Sequence, residues 1–201
     1  MTDWTIRTAE SPADVVAAAE LIAFSFDDLR PNRYLVPEPE SRRAIMAGYF
    51  GLAAGHAAGG AGEVHLLERD GELAATAVWF DRTGPETPFP DYDERLRQIV
   101  PIEMLPRFEH LDKTLDENHL HDPHFHLAFV AVHPDHQGQG HGTRLVEGVH
   151  RRLDENGVVS FLEATNEANQ ALYRRLGYVD VATVTLEDGT PFHQMRRSPA
   201  A

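Results

Sequence analysis

The 201-residue sequence contains no cysteine and a single lysine, Lys113. The first absence excludes a disulfide framework, a thiol nucleophile and a thiolate metal site. The second leaves arginine as nearly all of the basic complement, which we read as coding bias rather than function. Positive charge is scarce altogether: 18 basic residues stand against 32 acidic ones, a formal charge of −14. That balance argues against nucleic acid as a partner, because phosphate binding needs a basic footprint. No apolar run approaches the ~20 residues of a membrane-spanning helix, so no membrane role is expected. The first residues lack the charged-then-apolar pattern of a leader. A cytoplasmic protein is the expectation, with a weak preference for cationic small molecules.

The length suits one domain, residues 1–201, large enough to bury roughly two-thirds of its unfolded surface. Hydrophobic periodicity divides it into alternating elements. "TIRTAESPADVVAAAELIAFSF" reads as a short strand and then a helix, with Ser11 as N-cap, Pro12 in the first turn, and Val15, Ala19, Ile22 and Phe26 on one face. "DDLRPNRYLVPEPE" reads as a proline-rich loop, and "SRRAIMAGYFGLAAGHAAGGAG" as a helix fraying into a Gly/Ala tail. "VHLLERDGELAATAVWF" is a β-hairpin signal with Asp70-Gly71 at its turn. Residues 81–124 carry six prolines and 11 acids against five bases, and read as an insertion with a helix in or just after "DYDERLRQIV". Then follow the apolar strand "FHLAFVAV", a helix with Leu145, Val149 and Leu153 aligned, the strand "VVSFLEAT", the short helix "NEANQALYRRLG", and a terminal hairpin turning near Asp188-Gly189. The order is mixed α/β (α+β), with a central strand-loop-helix-strand unit.

The segment "HPDHQGQGHG", residues 133–142, sets three histidines among three glycines. Three readings compete. His133, His136 and His141 could ligate a metal, but they lack the helix or hairpin spacing of structural zinc sites. They could be solvated loop residues. Or Gly138, Gly140 and Gly142 let backbone N–H groups converge on an anion where a buried strand runs into a helix. No Gly-Lys-Ser/Thr follows, and the spacing is not Gly-x-Gly-x-x-Gly, so the two common nucleotide loops are set aside. What remains is Gln-x-x-Gly-x-Gly over Gln137–Gly142.

The strand "FHLAFVAVHP", the turn "QGQGHG", the helix, the strand "FLEAT" and "NEANQALYRRLGY" together resemble the acetyl-CoA core of the GNAT superfamily of N-acetyltransferases. The likeness is strong over about residues 125–180, and the flanking elements fit the rest of that fold in order. "FLEAT…LYRRLGY" and "PFHQMRRSP" are more loosely similar to puromycin N-acetyltransferase and its bacterial relatives, which raises antibiotic modification without fixing the acceptor. The resemblance implies a mixed sheet of about six or seven strands flanked by helices. It also implies acetyl-CoA as cosubstrate without a required metal, and direct attack by the primary amine of a small molecule. Two other functions stay open: a non-catalytic acyl-CoA sensor, and a protein acetyltransferase acting on lysine or an N-terminus. A homodimer is compatible with the sequence.

The residues can be set against that chemistry. Backbone amides from Gln137 or Gly138 through Gln139, Gly140, His141 and Gly142 to Thr143 would cradle the pyrophosphate without positive side chains. The preceding strand would pair with the pantetheine arm near Val130 and Val132, and an amide there could polarise the thioester carbonyl. In this family that strand is commonly splayed from its neighbour by a bulge. Asn166, Asn169 and Tyr173 fall at helical spacings of three and four, so one face could present an amide and a phenol. Asn169 stands where the family pattern has alanine, which leaves open which asparagine meets CoA. Tyr173 is the candidate acid for the leaving thiolate; a core tyrosine is the plain alternative. Some family members carry a glutamate six residues before the valine that precedes the turn; that position, counted back from Val132, is His126. His126 is therefore a candidate base, with Glu163 as the competing carboxylate; structural hydrogen bonding is the plain reading of both. The insertion and the Arg30–Glu40 segment are candidate walls of the acceptor end, and the insertion's net acidity would suit an amine.

Overall fold

The computed structural model describes residues 4–200. A seven-stranded sheet runs in the order β1-β2-β3-β4-β5-β7-β6. Its strands are β1 (Trp4–Thr8), β2 (Gly62–Arg69), β3 (Glu72–Arg82), β4 (His124–Val132), β5 (Val159–Ala164), β6 (Val179–Thr185) and β7 (Pro191–Arg197). All neighbours are antiparallel except β4 and β5, which run parallel and are joined by α6 (His141–Glu155). The other helices are α1 (Pro12–Ser25), α2 (Arg30–Leu35), α3 (Pro39–His56), α4 (Tyr92–Ile99), α5 (Leu105–Glu117) and α7 (Glu167–Arg175). Among the described residues no helix is long and apolar enough to cross a membrane.

Strand alternation builds a core on each face of the sheet. Leu66 and Val78 point to the side covered by α1, α3 and α5, where they meet Ile22, Phe50 and Phe108. Their neighbours Leu67, Ala77 and Trp79 point to the other side, against Leu145, Val149 and Leu153 of α6. The start of α1 is as the sequence predicts: Ser11 accepts from the Asp14 amide at 3.2 Å while the Asp14 carboxylate accepts from the Ser11 amide at 3.0 Å. This reciprocal cap satisfies two end groups that a helix leaves open. Asp70 and Gly71 both take positive φ, 52° and 87°, as the two-residue turn of the β2–β3 hairpin requires.

Two expectations need correction. The proline-rich segment 27–40 is not a loop throughout: it contains α2, and α3 begins at Pro39. Pro31 and Pro39 both sit in a first helical turn, where the missing N–H costs nothing. The insertion holds two helices rather than one, α4 and α5, the second with buried Leu105, Phe108 and Leu111.

Arg42 fastens α3 to the segments on either side of α2. Buried to 5% exposure, its guanidinium donates to the carbonyls of Val36 (2.6 Å), Pro37 (2.7 Å) and Asp27 (3.4 Å). The planar fork reaches three acceptors that no shorter side chain could satisfy together.

On the opposite side of the sheet, His150 of α6 meets the Tyr178 hydroxyl at 3.0 Å, and Ser160 meets the same oxygen at 2.5 Å. Burial lowers His150 to a pKa of about 4, and lowers His124 at the start of β4 to about 4 as well. The unfolded chain takes up protons at these sites near pH 6.5, whereas the folded chain does not, so stability falls as pH falls from about 6.5 towards 4. The expected loss is roughly 1–3 kcal/mol per histidine. Melting temperatures between pH 8 and 4 should be flat above about pH 7 and decline below it, and His150→Gln should make that decline shallower. An equal slope in the variant would remove His150 from the account.

Candidate active site

The site begins where β4 leaves β5. Their parallel register ends at Leu127↔Leu162. On the other edge of β4, Val78 faces Phe129 and Trp79 faces Leu127, so Ala128 is an extra, unmatched residue. This is the bulge, and bulges bend and twist a strand locally. Past it, β4 keeps β3 as a partner and has no strand on its other side. The Val132 carbonyl accepts from the Ser25 hydroxyl and from the Gln137 side-chain amide, each at 3.1 Å.

Two cavities lie along this opening. The outer cleft, about 580 Å³, is lined by Val130, Val132, Gln137, Gly138, Gly140, His141, Gly142, Thr143, Asn166, Asn169 and Tyr173 among others. Gly138 and Gly140 have φ of 72° and 82°, which turns the chain sharply onto the first residue of α6. The amides at the start of α6 have no intrahelical acceptor and carry the positive end of the helix dipole. A Cβ on Gly142 would lie 3.3 Å from Val130 Cγ1 and 3.4 Å from Val132 Cγ2, so glycine permits the close approach of loop to strand. An open strand edge and a ring of free amides at a helix start fit a pantetheine arm ending in a pyrophosphate.

Two of the predicted cofactor contacts depart from the expectation: the Gln137 main-chain amide donates to the Pro134 carbonyl at 3.2 Å, leaving only its side chain at the cleft, and Gln139 is the second. It does not line the cleft, and its side-chain amide donates to the Asp135 carbonyl at 3.3 Å. His133 and His136 act locally: His133 Nδ1 accepts from the Asp135 amide, and His136 closes a short turn onto the His133 carbonyl. His141 packs on the Trp4 ring at 4.1 Å between centroids. Among the described residues no group of three acidic or histidine side chains is arranged to hold a metal. Asn166 is the N-cap of α7 rather than a residue of its face, its oxygen accepting from the Asn169 amide at 2.9 Å. Leu172 of the same helix also lines the cleft.

The inner chamber, about 150 Å³, is lined by His126, Glu163 and Ala128, with apolar walls that include Leu35, Met46 and Phe50. Phe26, Leu29, Val130, Asn169 and Tyr173 line both cavities, which places the Tyr173 phenol at their junction. Burial is the sole cause that raises Tyr173, to about 12, so the phenol keeps its proton at neutral pH. Its ring is held edge-on by Tyr178 at 5.7 Å.

His126 and Glu163 act as a pair rather than as rivals. Parallel register brings them together, and His126 Nε2 lies 2.8 Å from Glu163 Oε2. Burial raises the carboxyl, but the imidazoles of His126 and His119 outweigh it and hold Glu163 at about 2. The carboxylate therefore accepts, and Nε2 of His126 carries the hydrogen. Behind it the polar chain continues: His119 Nδ1 lies 3.7 Å from Glu163 Oε1, His119 Nε2 lies 3.1 Å from His124 Nε2, and His124 Nδ1 lies 2.7 Å from the Asp122 carbonyl. A carbonyl can only accept, so His124 donates from Nδ1 and receives at Nε2, which makes His119 the donor to it.

Sequence reasoning did not find Ser25, Arg175 or Asn32. Ser25 and Arg175 line the outer cleft, the latter placing a cation where none was expected. Asn32 lines the chamber together with Pro31 and Leu35, all from the expected proline-rich wall. The insertion does reach the chamber, through Leu111 and Leu115 of α5, whereas its acids Asp93, Glu109 and Asp116 line a separate surface recess. The α5 leucines carried a helical signal, but nothing in their spacing says which cavity they face.

The profile of the Acetyltransferase (GNAT) family matches residues 26–178. The chain belongs to that family and is an acyltransferase. Its fold recurs in a crystal structure described as histone acetyltransferase HPA2 and related acetyltransferase from Corynebacterium glutamicum, at 24% identity and a TM-score of 0.72, covering 98% of this chain and 97% of that one. Arylalkylamine N-acetyltransferase 2 from Aedes aegypti is similar at 16% identity and a TM-score of 0.63, with 98% and 100% covered. The PaiA N-acetyltransferase of Thermoplasma acidophilum, solved in complex with coenzyme A, is similar at 13% identity and a TM-score of 0.60, with 98% and 99% covered. The seven-stranded mixed sheet is thus the GNAT fold.

The hydrogen-bond chain fixes tautomers that can be observed directly. Long-range ¹H–¹⁵N correlation at pH 7.5 should show His124 protonated at Nδ1 and His126 at Nε2. Glu163→Gln should leave the His124 assignment unchanged, because the Asp122 carbonyl sets it. An Nε2-protonated His124 in the unmodified protein would break the chain as described.

Proposed function

We propose that the protein transfers the acetyl group of acetyl-CoA to the primary amine of a small molecule, the amine attacking the thioester directly with both substrates bound. The observation that carries this reading is the meeting of a glycine-cradled cleft and a walled chamber at Tyr173, with the His126–Glu163 pair on the chamber side. The amides of Gly138 and of residues 140–143 would take the pyrophosphate, and the open edge of β4 near Val130 the pantetheine arm. A main-chain amide past the bulge would meet the thioester oxygen as negative charge grows there.

An ammonium acceptor must lose a proton before it can attack. His126 has Nε2 committed to Glu163, which leaves Nδ1 as its base; on taking a proton there, the imidazolium stays paired with a buried carboxylate. His126 is then the catalytic base and Glu163 the positioning residue that orients and stabilises it. Tyr173, protonated at the junction, would return a proton to the departing thiolate. Asn169, which borders both cavities, is the better placed of the two asparagines to meet the arm near its reacting end. A chamber of about 150 Å³ walled by α3 and α5 favours a small acceptor over a protein segment. The amine named in the Aedes aegypti relative is a small molecule too.

Tyr173→Phe should lower kcat by about 10²-fold or more while changing CoA affinity by less than about threefold. Calorimetric titration and thiol-release kinetics check the two halves, and equal turnover in the two proteins would remove Tyr173 from the acid role. His126→Gln should lower kcat/KM by a similar factor and flatten the low-pH limb of its profile. An unchanged limb would transfer the base role to Glu163 or to water. Tight CoA binding without turnover on any amine would favour the sensor reading.

A further inference from the structure

The chamber's own lining says more about the acceptor than the presence of a base does. Its volume of about 150 Å³ is that of a cavity that takes one benzene-sized molecule. Met46, Phe50, Leu111, Phe129 and Phe192 give it apolar walls on two helices and two strands. Glu163 is the single carboxylate on the lining. Asp112 of the insertion, which bonds the lining residue Tyr49, is withheld: its two oxygens accept from Tyr49 at 3.2 Å and Tyr92 at 2.7 Å. A ligand with a second cation would therefore bury it without a partner, which disfavours its binding strongly. One further group is unspent. Asn32, 4% exposed, lines the chamber, and its Nδ2 is buried without a hydrogen-bond partner. A buried donor left unpaired is costly, and a ligand oxygen would relieve it.

Resting on the acetyl-transfer reading, we infer that the acceptor is a primary monoamine whose apolar body is about one aromatic ring in size and bears a neutral hydrogen-bond acceptor taken by Asn32. The amine nitrogen lies toward His126 and the body fills the space between α3, α5 and β7. Diamines and guanidino amines are disfavoured by the missing second carboxylate. Nucleoside-sized amines are disfavoured by volume.

The test is thiol release by the full chain with acetyl-CoA and four amines: 2-phenylethylamine, 2-(4-methoxyphenyl)ethylamine, agmatine and puromycin. The methoxy amine should have the highest kcat/KM, about tenfold above phenylethylamine and at least about 100-fold above agmatine and puromycin. In Asn32→Leu the ratio between the two ring amines should shrink to near one; because that ratio is internal to each preparation, partial loss of folded protein does not alter it. A Phe50→Trp variant, which fills the chamber, should lower kcat/KM for both ring amines by about tenfold or more. Agmatine or puromycin as the preferred acceptor, or equal rates on all four, would overturn the inference and leave acetyl transfer standing. A tenfold ratio that persists in Asn32→Leu would overturn the assignment of that residue. CoA binding by folded protein with no turnover on any of the four would instead count against the acetyl-transfer reading itself.

Discussion

Every backbone N–H and C=O in a sheet needs a partner, and this molecule is organised around the place where that demand is left to something other than a strand. β4 is paired on both edges as far as Leu127 and on one edge afterwards. The parting has a local cause in Ala128, and it has consequences in every direction. It opens the outer cleft, it brings the glycine turn and the α6 amides to the end of the exposed edge, and it lets Tyr173 and Asn169 stand at the junction of two cavities. The helices on the α1–α3 face then serve as the wall of the inner chamber, held through the three carbonyls that Arg42 gathers.

The electrostatics follow the same division. The outer cleft is lined by the glycine turn and the start of α6, and Arg175 is the arginine on its wall, in a chain carrying a net charge of −14. The inner chamber relies on one buried carboxylate compensated by imidazoles. Isolated, such a carboxylate would be neutralised by burial; with His126 at 2.8 Å and His119 at 3.7 Å it stays charged. Its charge fixes the His126 tautomer, and the tautomer decides which nitrogen is free to accept a proton.

Features written in consecutive residues were legible in the sequence. The Ser11 cap, the Asp70-Gly71 turn, the glycine turn and the helical spacing that leads to Tyr173 each depend on contacts within a few positions. The bulge was not legible, because "FHLAFVAV" is apolar on both faces and a slip of one residue leaves no mark on such a run. Nor was the pairing of His126 with Glu163, 37 positions apart, which depends on the parallel register of two strands. The proline-rich segment misled because proline reads as a breaker in general but as a starter in a first turn. Asn32 was hidden for a different reason: a polar residue in a short helix carries no signal until the structure shows its amide buried and unpartnered.

Asn166 serves the fold with one atom and faces the cleft with the rest. Its Oδ1 accepts from the first turn of α7, so the NH₂ group is the end of the side chain with no commitment to the helix. A ligand entering the cleft at this position has an uncommitted hydrogen donor within the Asn166 side chain. An aspartate there would cap the helix equally well while presenting a second lone-pair oxygen in place of the amide. The sign of the cleft wall is thus set by a choice between two residues that are interchangeable as far as the helix is concerned.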